Sequence, residues 1–243
     1  MPIARLAERW ARTRDAVALA CRAAGRDPGA VRIVAITKGH PVATLRAAVD
    51  AGVTDIGENR VQEARAKFGS IGGPAVTRHL VGHLQRNKVR DALELFDWIQ
   101  ALDSLRIADA LAARAGARAA GVPVPVLIEV NAGAEPQKFG FTVDAAVDAG
   151  LEIAALPGLS LRGVMTVAPW SDDEAVVRRA FVATRRVFED LAARLPGSPI
   201  DTLSMGMSGD YPHAIAEGAT MIRLGTALFG ARDEIPTLTG GQP

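Results

Sequence analysis

The chain has 243 residues, 49% of them hydrophobic and 5% aromatic, with a formal net charge of +1 at pH 7; that is enough for one large core, and nothing in it calls for a second domain. Near-neutral charge excludes a polyanion specialist, and the one basic stretch, Arg86-Asn87-Lys88-Val89-Arg90, lacks interleaved aromatics and reads as a solvated helix start. The single cysteine, Cys21, excludes an internal disulfide or a cysteine metal cluster, and a charged N-terminus (Arg5, Glu8, Arg9, Arg12) with no run of roughly 18 apolar residues gives the expectation of a soluble, cytoplasmic protein without membrane or nucleic-acid partners.

Residues 2–25 carry apolar positions near helical spacing (Leu6, Trp10, Val17, Cys21, Ala24) and end at Gly25 and Pro28, which predicts an amphipathic helix with Cys21 on its core side. The pattern then changes to short β-branched runs, expected as strands at 31–37, 55–59, 79–83, 98–102, 124–131, 161–167, 203–206 and 221–225. Helices are expected to begin near Val42, Arg60, Arg86, Ser104, Val143, Asp172 and Tyr211. Strands alternating with helices imply right-handed βαβ units and a parallel sheet. Eight such strands fit a closed (β/α)8 TIM barrel, while an open doubly wound sheet would want a GxGxxG turn after the first strand, which is absent. The expected organisation is one α/β domain over 1–243: the helix 2–25, the barrel 31–230 and a flexible tail 235–243.

A TIM barrel places its chemistry at the C-terminal ends of its strands. Those ends read Lys38, Glu58-Asn59-Arg60, His83 with Gln85 and Asn87, Asn131, Met165-Thr166, Ser204 to Ser208, and Arg223 to Thr226. Lys38 stands where the run VRIVAIT stops. Burial disfavours an ammonium and makes an amine able to attack a carbonyl, although a lysine snorkelling to water would explain one strand end taken alone. The loops after strands seven and eight, where this fold often cradles phosphate, read Ser204-Met205-Gly206-Met207-Ser208-Gly209 and Gly225-Thr226. Glycines let backbone N–H groups approach an anion, and the Ser208 and Thr226 hydroxyls add donors. A carbonyl-seeking lysine facing a phosphate cradle asks for a ligand with both an aldehyde and a phosphate, which pyridoxal 5′-phosphate (PLP) is.

Long stretches across the chain then carry a resemblance: AITK (35–38), IGENRVQE (56–63), HLVGHLQRNK (79–88), EVNAGAEPQKFG (129–140), GVMTVAP (163–169), LSMGMSGD (203–210) and IRLGTALFG (222–230). In these the sequence resembles the PLP homeostasis protein family, itself similar to the N-terminal barrel of alanine racemase, of PLP fold type III, without the C-terminal β-domain. The resemblance implies a Schiff base on Lys38, phosphate contacts from Ser208, Gly225 and Thr226, Arg223 beside the pyridine nitrogen and Asn59 near the ring. His83, Met165 and Ser204 are taken as further pocket residues. The sequence departs from the family at Gly39-His40-Pro41, where Thr-Lys/Gln-Pro is commoner, leaving the role of His40 open.

Alternation along Met221-Ile222-Arg223-Leu224-Gly225 puts Arg223 on the face of Gly225. A guanidinium stays charged and disfavours protonation of a neighbouring pyridine, so the ring is a poor electron sink. That favours holding PLP over deep carbanion chemistry. Alanine racemase uses a second base, a tyrosine from the other subunit's C-terminal domain. Tyr211, this chain's only tyrosine, reads as packing or a helix start. His79 and His83 lack a metal-site pattern; His79 reads as a hydrogen-bonded structural histidine. Lys138 reads either as a loop cation or as a guide or second acceptor for the ligand, and Glu58 and Arg60 either pair or orient Asn59. The expected function is PLP storage or delivery by Schiff-base exchange, with no strong catalysis of its own, PLP-dependent apoenzymes as partners and a monomeric state. An amino-acid racemase and a cofactor-independent Schiff-base lyase are the alternatives.

Overall fold

The computed structural model describes residues 3–71, 76–116 and 122–230. The tail expected at 235–243 lies outside them. Eight parallel strands close into a barrel in sequence order: β1 (Arg32–Ile36), β2 (Asp55–Glu58), β3 (Thr77–Leu80), β4 (Trp98–Leu102), β5 (Val124–Glu129), β6 (Leu159–Met165), β7 (Thr202–Ser204) and β8 (Met221–Leu224). Closure is made by β1 on β8, with Val34 opposite Arg223 and Ala35 opposite Leu224. The fold expected from the alternating pattern is therefore the one observed.

The helices are α1 (Ile3–Ala23), α2 (Val42–Asp50), α3 (Val61–Phe68), α4 (Val89–Leu95), α5 (Leu105–Ala115), α6 (Val143–Ala154), α7 (Glu174–Arg194), α8 (Tyr211–Ala216) and α9 (Thr226–Phe229). Local chemistry sets several boundaries. Thr142 and Asp173 cap α6 and α7 by accepting from the amides of Ala145 and Ala175. Arg86–Lys88 forms a single 3-10 turn, so α4 begins at Val89 rather than at the expected Arg86. The short α9, which the sequence pattern does not predict, follows β8 directly. Helix α1 buries Leu6, Trp10, Val17 and Cys21 against α2, α8 and α9. Among the described residues no helix is long and apolar enough to cross a membrane.

Strand β3 ends at Leu80, not at His83 as expected. The run continues apolar beyond it because Leu84, in the following loop, is itself fully buried. Gly82 lets that loop pass: a Cβ there would come within 2.6 Å of the Asn59 carbonyl oxygen. At the β6–β7 seam a Cβ on Gly163, whose φ is +141°, would stand 2.0 Å from the Thr202 carbonyl oxygen.

Candidate functional site at the C-terminal mouth of the barrel

Lys38 lies in the turn just beyond β1 and is half-buried, not sunk in the strand, because the strand has already opened into the mouth. The residue after it, Gly39, takes φ +76°, a conformation that side chains rarely adopt. That conformation explains a glycine at this departure from the commoner motif. His40 is buried, its ring packed on Phe229 with centroids 4.6 Å apart, so the lysine turn leans on α9.

The β1–β8 pairing puts the proposed phosphate turn beside that lysine turn. A Cβ on Gly225 would lie 3.6 Å from the carbonyl oxygen of Ile36, two residues before Lys38. Ser208 reaches the same junction from the β7 side, its hydroxyl accepting from the Ala227 amide at 3.1 Å. Thr226 is exposed, and Gly206 makes its turn at φ +98° against Ala214. Tyr211 opens α8 and packs on the core.

Inside the barrel a hydrogen-bonded polar chain holds Arg223. Its Nη1 donates to Ser204 Oγ and its Nη2 to the Thr166 carbonyl, each at 2.7 Å. Ser204 donates in turn to Gln100 Oε1 at 2.7 Å. The Gln100 amide lies 2.9 Å from His79 Nδ1, and His79 Nε2 lies 3.0 Å from Asp55 Oδ1. With the amide nitrogen donating to Nδ1, the His79 proton sits on Nε2 and faces Asp55. Burial holds His79 below the usual imidazole range, which keeps the ring neutral. Burial raises Asp55, but hydrogen bonds from His79 and Thr54 and nearby positive charge outweigh it and hold the carboxyl low. Burial likewise lowers Arg223 to about 10, against the pull of Glu129 and Asp210, so the guanidinium remains charged at neutral pH. His79 is thus the structural histidine expected, and Ser204 spends its hydroxyl on positioning Arg223. Met165 is fully buried with Trp98, Ala101 and Leu127 inside the barrel.

The far rim is also polar. His83 Nδ1 contacts Asp103 Oδ2, and the His83 ring stacks on Phe139 with centroids 3.9 Å apart. Glu129 ends β5 near both; burial first, and the Asp103 carboxylate second, push its carboxyl up to about 7 against Arg223, His83 and Lys138. Asn131 staples its own loop through Glu135 and Lys138. Lys138 pairs with Glu135 and donates to the Ala168 carbonyl at 3.2 Å, bridging to the loop after β6. Asn59 is half-buried beside Gly82, and Arg60 is exposed. Glu58 turns away from the mouth, toward α3, where its partner is Lys67 rather than Arg60. The sequence did not single out Asp103, Glu129, Gln100 or Lys67. Polar side chains within apolar strands, as in WIQAL and VPVLIE, were the available signal.

A cavity of about 410 Å³ opens at the opposite end, lined by Arg32, Trp98, Arg162 and Asp201 among others. It lies at the N-terminal face, away from Lys38, the end of the fold that serves stability. The two arginines rest over the Trp98 ring at 5.8 and 5.4 Å and Arg162 pairs with Asp201. The mouth, in contrast, offers an amine at β1, hydroxyls and a glycine turn at β7–β8, and a charged guanidinium on the inner wall. That donor set fits a ligand with an aldehyde at one end and a phosphate at the other.

Fold and mouth together define a lysine-bearing (β/α)8 barrel of the kind described as alanine racemase, N-terminal domain, which residues 15–233 match. Proteins named pyridoxal phosphate homeostasis protein are 39% identical to this chain: that of Pseudomonas aeruginosa over 94% of the chain and 96% of its own length, and that of Escherichia coli K12 over 94% and 97%. The structure of PipY from Synechococcus elongatus, solved with PLP bound, superposes with a TM-score of 0.80 at 36% identity, covering 93% of this chain and all of that one. The chain belongs to the pyridoxal phosphate homeostasis protein family.

Proposed function

We propose that this chain, as one barrel domain, binds PLP as a Schiff base on Lys38 and serves PLP homeostasis as a store or carrier. The observation that carries the proposal is the direct β1–β8 pairing, which sets the Lys38 turn against the Gly225–Thr226 turn at one mouth. The PLP-bound relative with the same fold supports it. Bound PLP supplies an aldehyde carbon that can pass from one amine to another. Lys38 would hold the aldehyde end and Ser208, Gly225 and Thr226 the phosphate, with Asn59 near the ring and His83 and Met165 as further pocket residues. Arg223, fixed by Ser204 and the Thr166 carbonyl, keeps positive charge toward the ring nitrogen and so disfavours its protonation. A pocket so arranged stabilises attachment and exchange more than carbanion formation. The amines that take PLP from it are, on this proposal, lysines of PLP-dependent apoenzymes, and the protein acts as a cytoplasmic monomer.

One observation favours a second reading, weak amino-acid racemase activity: the His83–Asp103 pair and a Glu129 poised near 7 place proton-handling groups at the rim. The deciding experiment loads the protein with PLP in deuterated buffer, adds alanine and a panel of other amino acids, and follows Cα exchange by NMR, with Lys38→Ala as control. Storage or delivery predicts a Lys38 adduct after borohydride reduction and no Lys38-dependent exchange on a catalytic timescale. Fast, Lys38-dependent exchange overturns it in favour of an enzyme.

A further inference from the structure

Behind the lysine turn, on the side of β2 that faces the helices, lies a buried ionic cluster with no part in the contacts proposed above. Lys67 on α3 is only 7% exposed, and an ammonium is tolerated at such depth only when its hydrogens find acceptors. Its Nζ donates to the Thr37 carbonyl at 2.8 Å, to Glu58 Oε1 at 2.8 Å and to Glu63 Oε1 at 2.6 Å. An ammonium has three hydrogens, and these three acceptors take them. The same Glu58 oxygen accepts from Thr37 Oγ1 at 2.6 Å, and the same Glu63 oxygen accepts from the Gly39 amide at 2.6 Å.

The backbone on both sides of Lys38 is therefore tied to one buried cation, Thr37 through its carbonyl and Gly39 through Glu63. Two fixed peptide neighbours set where the Lys38 Cα sits and where its Cβ points. The two carboxylates divide the work. Burial raises Glu63, but hydrogen bonds from Lys67 and Gly39 outweigh it and hold Glu63 low. Burial raises Glu58 beyond what its hydrogen bonds from Lys67 and Thr37 recover, and its Oε2 has no partner. As a stability device such a cluster is poor, because desolvating ions costs about as much as their pairing returns. What it supplies is a fixed geometry.

We infer that Lys67, Glu63 and Glu58 are positioning residues for Lys38: a buried clamp that holds the turn Thr37–Gly39 so that the Lys38 amine meets the aldehyde end of the ligand. The inference rests on the proposed PLP attachment and adds residues that attachment does not itself require.

The test uses the full chain with Glu63→Leu, Glu63→Gln and Lys67→Met. Glu63 is the accessible member, its side chain 28% exposed, and Glu63→Leu leaves the Lys67–Glu58–Thr37 contacts in place. If Lys67→Met fails to fold, Glu63→Leu decides alone. Three readings are taken: amide exchange at Gly39 in the ligand-free protein by NMR, affinity for 4-deoxypyridoxine 5′-phosphate, which lacks the aldehyde, and the rate of PLP attachment to Lys38 trapped by borohydride. Glu63→Leu is expected to speed Gly39 exchange and slow attachment, each by about tenfold for one charge-assisted hydrogen bond, while the analogue's affinity stays within about twofold. Glu63→Gln, which keeps an acceptor for Gly39, is expected to restore most of both. Attachment within about twofold of wild type in Glu63→Leu overturns the inference, as does unchanged Gly39 exchange. If the wild type itself forms no Lys38 adduct, the PLP proposal falls; the exchange at Gly39 then decides by itself whether the clamp exists.

Discussion

Replacing Glu129 by Gln tests the electrostatics of the mouth without needing a ligand. Glu129 ends β5 within the fields of Asp103, Arg223, His83 and Lys138, and burial, then Asp103, lift its carboxyl from an ordinary 4.5 to about 7. Between those values the folded protein keeps the proton and the unfolded chain has lost it. The folded state binds more protons, so stability falls as pH rises through this window, by about 1.4 kcal/mol per pH unit, reaching roughly 3 kcal/mol at neutral pH and staying constant above. Glutamine carries no charge at any pH and escapes the penalty. The expectation is that Glu129→Gln and wild type are equally stable near pH 4.5, and that the variant gains progressively to about 2–3 kcal/mol by pH 8. Urea unfolding of the ligand-free proteins at half-unit intervals measures the difference, in which titrations common to both cancel. A difference that stays flat across the interval refutes the reasoning, because Glu129 would then titrate alike in folded and unfolded chains.

Three further outcomes are expected. Lys38→Ala loses covalent PLP after borohydride reduction and keeps its melting temperature within about 2 °C, since it changes a half-buried turn and no packed layer; a retained adduct at another site removes Lys38 from its role. Gly163→Ala places a Cβ 2.0 Å from the Thr202 oxygen at φ +141°, and is expected to cost at least about 3 kcal/mol, a melting loss of roughly 6–12 °C; calorimetry showing no loss would mean the β6–β7 seam can spread. Gln100→Leu strands the Nδ1 of His79 and the hydroxyl of Ser204, both fully buried, and should cost about 2–4 kcal/mol in urea unfolding while loosening Arg223; a neutral result would mean the interior chain is not a connected unit.

Strand β4 falls where the pattern puts it, at Trp98–Leu102, because all its residues are buried and none is polar enough to suggest a turn. Strand β3 does not, because Val81 to Leu84 look like a continuing strand while forming a loop that passes Asn59, with only Leu84 of the four buried. Helix α9 was invisible, since Thr226–Phe229 is four residues long and held by the Gly225 turn rather than by its own periodicity. For the proposed site, Lys38, Ser208 and the Gly225 turn stand out in the sequence because each lies at a strand end with a residue type that suits an aldehyde or an anion. Ser204 was legible as a position but not in its use, for its hydroxyl is directed at Arg223 and Gln100.

The sequence by itself determined the barrel, the mouth and the lysine. Alternation of apolar runs depends only on neighbours in the chain, and eight repeats of it admit few closures. The tertiary structure alone decided the partners. Gln100 meets Ser204 across 104 positions, and Lys67 reaches back 30 to the carbonyl of Thr37. No local pattern encodes such contacts, because a buried polar group selects its partner by proximity after closure, when water is gone and every donor must find an acceptor. The same condition set the charge states: burial, which exists only in the folded barrel, raises Glu129 and lowers Arg223.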